Sequence, residues 1–97
     1  MTRIEVRPAA ALDLEVAAEW YESQRNGLGD EFLTEADRLK SRIAENPRQF
    51  PVVYRDARRA LLRRFPFAIY FRLLSNRALI VAVSDQRMNP SRWRRRI

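Results

Sequence analysis

The sequence predicts an α+β fold: an N-terminal strand, an antiparallel hairpin of two helices, then four antiparallel strands completing one sheet. Three observations carry this. Apolar residues recur at helical spacing between about Ala9 and Glu45. After Pro51 the pattern changes to strand-like alternation. Between the two helical stretches stand Gly27 and Gly29, the only glycines in the chain. A length of 97 residues suits one small core, so residues 1–97 read as a single domain.

Arg3-Ile4-Glu5-Val6-Arg7 alternates as a half-buried strand, and Pro8 suits the first turn of a helix, where its missing N–H is not needed. In that helix Leu14, Ala17, Ala18 and Tyr21 form the main apolar stripe. Leu12, Val16 and Trp20 adjoin it, and Glu15, Glu19 and Glu22 lie opposite as a solvated face. Asn26-Gly27-Leu28-Gly29 ends the helix, with both glycines placed where positive φ is expected. Asp30 is the expected N-cap of a second helix carrying Phe32, Ala36, Leu39 and Ile43, with Leu33 beside them. Asn46-Pro47 stops it, because a residue before proline avoids the α region.

The second half reads as Val52-Val53-Tyr54, a turn at Asp56-Ala57-Arg58, a strand from Arg59 to Phe65, and Phe67 to Leu73 after Pro66. A loop at Ser75-Asn76-Arg77 follows. Ala78 to Val83 is continuously apolar, as in a central strand buried on both faces. Asn89-Pro90 closes the sheet, and residues 91–97 form a basic tail.

Composition excludes several classes of function. The chain has no cysteine and no histidine. Disulfide frameworks, thiol chemistry and the usual zinc ligands are therefore ruled out, and neither metal nor cofactor is expected. Phe65 to Phe71 and Ala78 to Val83 are too short to cross a membrane, and Arg3 and Glu5 interrupt any leader-like run. A cytoplasmic protein with no membrane partner is expected. Net charge is +7, unevenly placed: residues 1–49 hold seven basic and ten acidic side chains, residues 50–97 twelve basic and two acidic, Asp56 and Asp85. Such a half suits a polyanion or an acidic protein segment. Lys40 is the only lysine. Arginine favours bidentate recognition of phosphate or carboxylate, although a G+C-rich coding bias yields the same preference.

The residues spread along the chain also resemble a known family. They are Ala10 and Asp13-Leu14; Trp20-Tyr21-Glu22; Gly27-Leu28-Gly29-Asp30-Glu31-Phe32; Ile43, Pro47 and Phe50-Pro51; Arg58-Arg59; Arg64-Phe65-Pro66-Phe67 with Ile69 and Tyr70; and Val83, Arg87, Pro90 and Trp93. In this order and spacing the chain resembles toxins of the RelE/ParE superfamily from bacterial type II toxin–antitoxin systems. The Trp-Tyr-Glu, Gly-Leu-Gly and Arg-Phe-Pro-Phe blocks lean to the ParE-like branch. The resemblance implies the fold read above, plasmid-stabilisation-type biology, a cognate acidic antitoxin, and inhibition of DNA gyrase by binding. The target-contact residues it suggests are Arg58, Arg59, Arg63, Arg64, Arg87, Arg94 and Arg95. Trp20, Tyr21, Leu28 and Phe32 are the expected antitoxin contacts. The alternatives are a RelE-type, ribosome-dependent mRNA endoribonuclease and a non-toxic, binding-only relative.

RNA cleavage through the 2′-hydroxyl needs a base, an acid and cations for the developing phosphorane charge. Arg63, Arg64 and Arg87 supply cations, and Asp85 or Tyr70 would move the proton. Asp85 stands where many relatives carry histidine. Arginines around it would lower its pKa and weaken it as a base, and an ion pair with Arg87 is the competing reading. For Trp93, stacking on nucleic acid and packing back on the sheet both remain open.

Overall fold

Pro8 opens a helix with only one residue between it and the first strand, so β1 (Arg3–Val6) feeds directly into α1 (Pro8–Gln24). The computed structural model describes residues 1–97. α2 (Leu28–Glu45) follows, then a 3₁₀ turn at Pro47–Gln49, β2 (Val52–Tyr54), β3 (Ala57–Leu61), β4 (Phe67–Leu73), β5 (Arg77–Asp85) and α3 (Ser91–Arg94). The strands form one sheet in the order β1-β5-β4-β3-β2, with β2 to β5 antiparallel in sequence and β1 parallel to β5. This is the expected β-α-α-β-β-β-β order.

Several boundaries differ from the sequence reading. β3 begins at Ala57, inside the expected Asp56-Ala57-Arg58 turn, so the turn is only Arg55-Asp56. α2 begins at Leu28 rather than at Asp30, with Gly27 as its N-cap at φ +87°. Asp30 and Glu31 instead lie in its first turn, where they complement the helix dipole. The Glu22 carboxylate satisfies the freed helix donors, accepting the Gly27 N–H at 2.9 Å and the Gly29 N–H at 3.0 Å. Of the two glycines only Gly27 has positive φ; Gly29 is required for another reason, because a Cβ there would lie 2.6 Å from the Ala18 carbonyl oxygen of α1. β3 stops at Leu61, four residues before Phe65, since the Glu35 carboxylate of α2 accepts the Arg63 and Arg64 N–H groups in place of a strand partner. The basic tail folds as α3.

The helical hairpin covers one face of the sheet. Its core joins Leu14, Ala17 and Tyr21 of α1, Phe32, Ala36, Leu39 and Ile43 of α2, and Ile69, Phe71, Ile80 and Val83 of the sheet. Phe32 is fully buried, with ring centroids 5.2 Å from both Phe65 and Phe67 and 5.3 Å from Tyr21. Burying such a ring contributes roughly 1.5–3 kcal/mol. β5 is buried on both sides from Ala78 to Val83, as its apolar run required.

A β-bulge sets which side each β5 residue faces. Tyr70 pairs with Ala82 and Phe71 with Ile80, which leaves Val81 as the extra residue. Ala78, Ile80 and Val83 therefore face the helices, whereas Leu79, Val81 and Ala82 join Ala68, Tyr70 and Trp93 on the outer face.

Candidate functional site

Two surfaces present chemistry, and α3 borders both. The first is a groove of about 480 Å³ between α1 and the end of β5. Leu12, Val16 and Trp20 recur every four residues along α1, so they line one wall as a continuous stripe. They are 57%, 59% and 57% exposed, too large an apolar surface to be ordinary helix decoration. Met88, 43% exposed, extends it, and Arg87, Arg92, Arg95 and Arg96 stand around it.

Two ion pairs line this groove. Asp13 and Arg96 form a bidentate pair at 2.6 and 3.0 Å. Asp85 and Arg87 form another, at 2.6 and 3.0 Å, and the Arg87 backbone N–H also donates to Asp85. Those hydrogen bonds hold the Asp85 carboxyl below the usual carboxylate range and raise the Arg87 guanidinium further. Asp85 is thus a locked carboxylate with little basicity. Burial, aided by the nearby Asp85 charge, pushes the Tyr21 phenol up.

The second surface is the outer face of the sheet, built from Tyr54, Tyr70 and Trp93. Trp93 is 5% exposed and stacks on Tyr70 at 4.0 Å and 12°. Tyr54 meets Trp93 edge-on at 5.9 Å. The Arg94 guanidinium lies 4.9 Å from the Tyr54 ring and 5.5 Å from the Trp93 ring, and Arg55 lies 5.2 Å from Tyr54. Arg55, Arg94 and Arg95 line a second hollow of about 540 Å³. Burial raises the Tyr70 phenol, against the pull of Arg59 and Arg94.

The predicted contact residues fall into different places. Arg58 points to the backbone, donating to the Phe50 carbonyl at 2.7 Å. Arg64 pairs with Glu31 at 2.8 Å and lies over Phe65 at 5.4 Å. Arg63 is exposed in the loop after β3. Arg59 is half-buried on β3 opposite Tyr70, its Nε without a partner. Arg87 is held by Asp85, Arg94 lies on the outer face, and Arg95 borders both that face and the groove. The nuclease candidates do not converge as free groups: Tyr70 is 1% exposed beneath Trp93, and Asp85 is occupied by Arg87.

Of the expected antitoxin contacts, Trp20 is open in the groove. Tyr21 and Phe32 are core residues, and Leu28 is packed against that core. Trp20 and Tyr21 are sequence neighbours about 100° apart around the helix, which is how one is surface and the other core. Sequence reasoning missed Arg55 and the Asp13–Arg96 pair. The first had no motif, and the second joins residues 83 apart in the chain. No three or more histidine, cysteine, aspartate or glutamate side chains converge to hold a metal, and no helix is long and apolar enough to cross a membrane.

No protein-family model matches the chain, and no curated protein matches it. A solved structure described as the chromosomal ParDE TA system from P. aeruginosa contains a chain of the same fold. The match covers 88% of this chain and 96% of that one at a TM-score of 0.74, with 19% sequence identity. The β-α-α-β-β-β-β architecture expected from the sequence is therefore shared with that chain.

Proposed function

We propose that this chain is a ParE-like toxin of a type II toxin–antitoxin system, acting in the cytoplasm by binding DNA gyrase and neutralised by a cognate acidic antitoxin. The observation that carries this reading is the fold shared with a chain of the ParDE system over 88% of the length. Family-level analogy supports the class, and the surfaces support the way it works. The groove offers an amphipathic acidic segment an apolar stripe at Leu12, Val16 and Trp20 with arginines around it. Hydrophobic anchoring would come from the stripe and charge complementarity from Arg92 and Arg95. Gyrase contact is assigned to the outer face and α3, where Arg94 and Arg95 project without carboxylate partners.

The engagement is non-covalent. Catalysis by Asp85 or Tyr70 would need a free base or an accessible phenol, and both groups are held in internal contacts.

The test is a supercoiling assay with purified gyrase, ATP and this protein. Inhibition with accumulation of cleaved DNA is expected, and relief on adding the small acidic protein encoded beside it. Unimpaired supercoiling at large molar excess would overturn the gyrase target. Message cleavage on translating ribosomes would transfer the assignment to the endoribonuclease reading.

A further inference from the structure

We infer that the outer face carries its own binding site for duplex DNA, gripped through backbone phosphates by Arg55, Arg94 and Arg95. The inference adds a ligand to the reading above, and its test uses no gyrase, so the two fail separately.

Pairing divides the arginines. Arg25, Arg64, Arg72, Arg77, Arg87 and Arg96 are each within 4 Å of a carboxylate. Arg55, Arg94 and Arg95, like nine others, have no such partner, and what sets these three apart is that they line one hollow. The nearest acidic residue in sequence, Asp56, is taken by Arg72 through three contacts of 3.0–3.1 Å. The face is therefore a cluster of uncompensated guanidiniums, the electrostatic footprint of a phosphate backbone. Arg94 is also pre-oriented, because its planar group rests against Tyr54 and Trp93 and loses less freedom on binding.

The aromatic rings decide between duplex and single strand. Proteins that hold single strands stack bases on open aromatic faces. Here Tyr70 is 1% and Trp93 5% exposed, their faces spent on one another, and Tyr54 is flanked by Arg55 and Arg94. The surface offers guanidinium forks and no stacking platform. It fits paired DNA contacted at phosphates, with little sequence preference.

The experiment is fluorescence anisotropy with a labelled duplex of about 30 base pairs, titrated across salt from about 50 to 200 mM. Three phosphate contacts give a slope of log K against log salt of about −3. Arg55→Ala and Arg95→Ala should each reduce that slope by about one. Arg38→Ala, an equal charge change on exposed α2, should leave it unchanged. Arg94→Ala removes a stacked side chain, so the exposed Arg55 and Arg95 variants keep the test independent of folding. Absence of binding at low salt would overturn the proposal. So would equal losses in the Arg38 variant, or tighter binding to single-stranded RNA of the same length than to the duplex.

Discussion

Asp13 on α1 and Arg96 beyond α3 together complete an edge of the sheet that β1 is too short to cover. β1 pairing ends at Val6 opposite Ile80, and the Arg7 N–H donates to the Ile80 carbonyl at 3.0 Å. Beyond that point Asp13 accepts the Val83 N–H at 2.9 Å, and Arg96 donates to the Val81 carbonyl at 3.2 Å. An ion pair thus satisfies backbone groups that a longer strand would have paired. The same contact fastens α3 to the molecule from the groove side while Trp93 fastens it on the other. Arg96→Met should cost roughly 1–3 kcal/mol, since it leaves a partly buried carboxylate and a carbonyl short of donors. Asp13→Asn, which keeps an acceptor for Val83, should cost less than Asp13→Ala. Denaturant titration gives the ranking. In a Trp20→Phe background, red-shifted Trp93 emission in Arg96→Met would register the loosening of α3; an unshifted spectrum would refute that coupling.

The two glycines of the helix junction should respond differently to substitution. Gly27→Asn should be mild, because asparagine tolerates the left-handed region and nothing lies within 4 Å of a Cβ there. At Gly29 the obstacle is the α1 backbone, which cannot move aside like a flexible side chain. Gly29→Ala should cost roughly 1–3 kcal/mol and lower Tm by at least about 5 °C. Equal Tm values for the two variants would contradict this account of the close approach.

Stability should be flat between about pH 5 and 8, because the chain has no histidine, and should fall below about pH 4. Hydrogen bonds from arginine hold Asp85, Asp56 and Glu31 below the usual carboxylate range: Arg87 acts on Asp85, Arg72 on Asp56, and Arg64 and Arg25 on Glu31. A depressed carboxyl contributes stability above its unfolded pKa and loses it as pH falls through the folded value. The loss therefore lies on the acid side and weakens with salt, most at Asp56, whose side chain is 56% exposed, and least at Asp85, at 16%. Asp85→Asn should make the acid limb shallower, read by thermal melts across pH. The same variant should retain gyrase inhibition. Its loss in a well-folded Asp85→Asn protein would mean that the carboxylate takes part in function.

Arg55 sits at φ +52° in the two-residue turn between β2 and β3, a conformation costly for a long side chain that, unlike asparagine, has no short polar group to bond its own backbone. Arg55→Gly should raise stability by about 1 kcal/mol while weakening duplex binding. An unchanged or lowered Tm would show that the turn is not under strain.

Much of the fold was legible because it rests on periodicity. The helical spacing of Leu14, Ala17 and Tyr21, the unbroken apolar run of β5 and the strand-like alternation of β4 each report burial directly, and burial is what hydrophobic pattern encodes. The candidate site was legible only in part. The basic second half was visible, but only the fold parts the open Trp20 from the buried Tyr21, and pairing separated the arginines that sequence grouped together. Arg64 and Arg87 are consumed by Glu31 and Asp85, while Arg94 and Arg95 remain free.

By itself, then, the sequence determined the order of elements, the helix that packs on the sheet and the absence of histidine and thiol chemistry. Those properties follow from residue identity and local spacing. Tertiary structure decided the rest. It placed β5 between β1 and β4, inserted a bulge at Val81 that turns Val83 toward the helices, and joined Asp13 to Arg96 across 83 residues. It also stacked Trp93 on Tyr70, so that the outer face presents charge rather than rings. Such outcomes depend on which side chains meet after distant segments pack, and no local period records them.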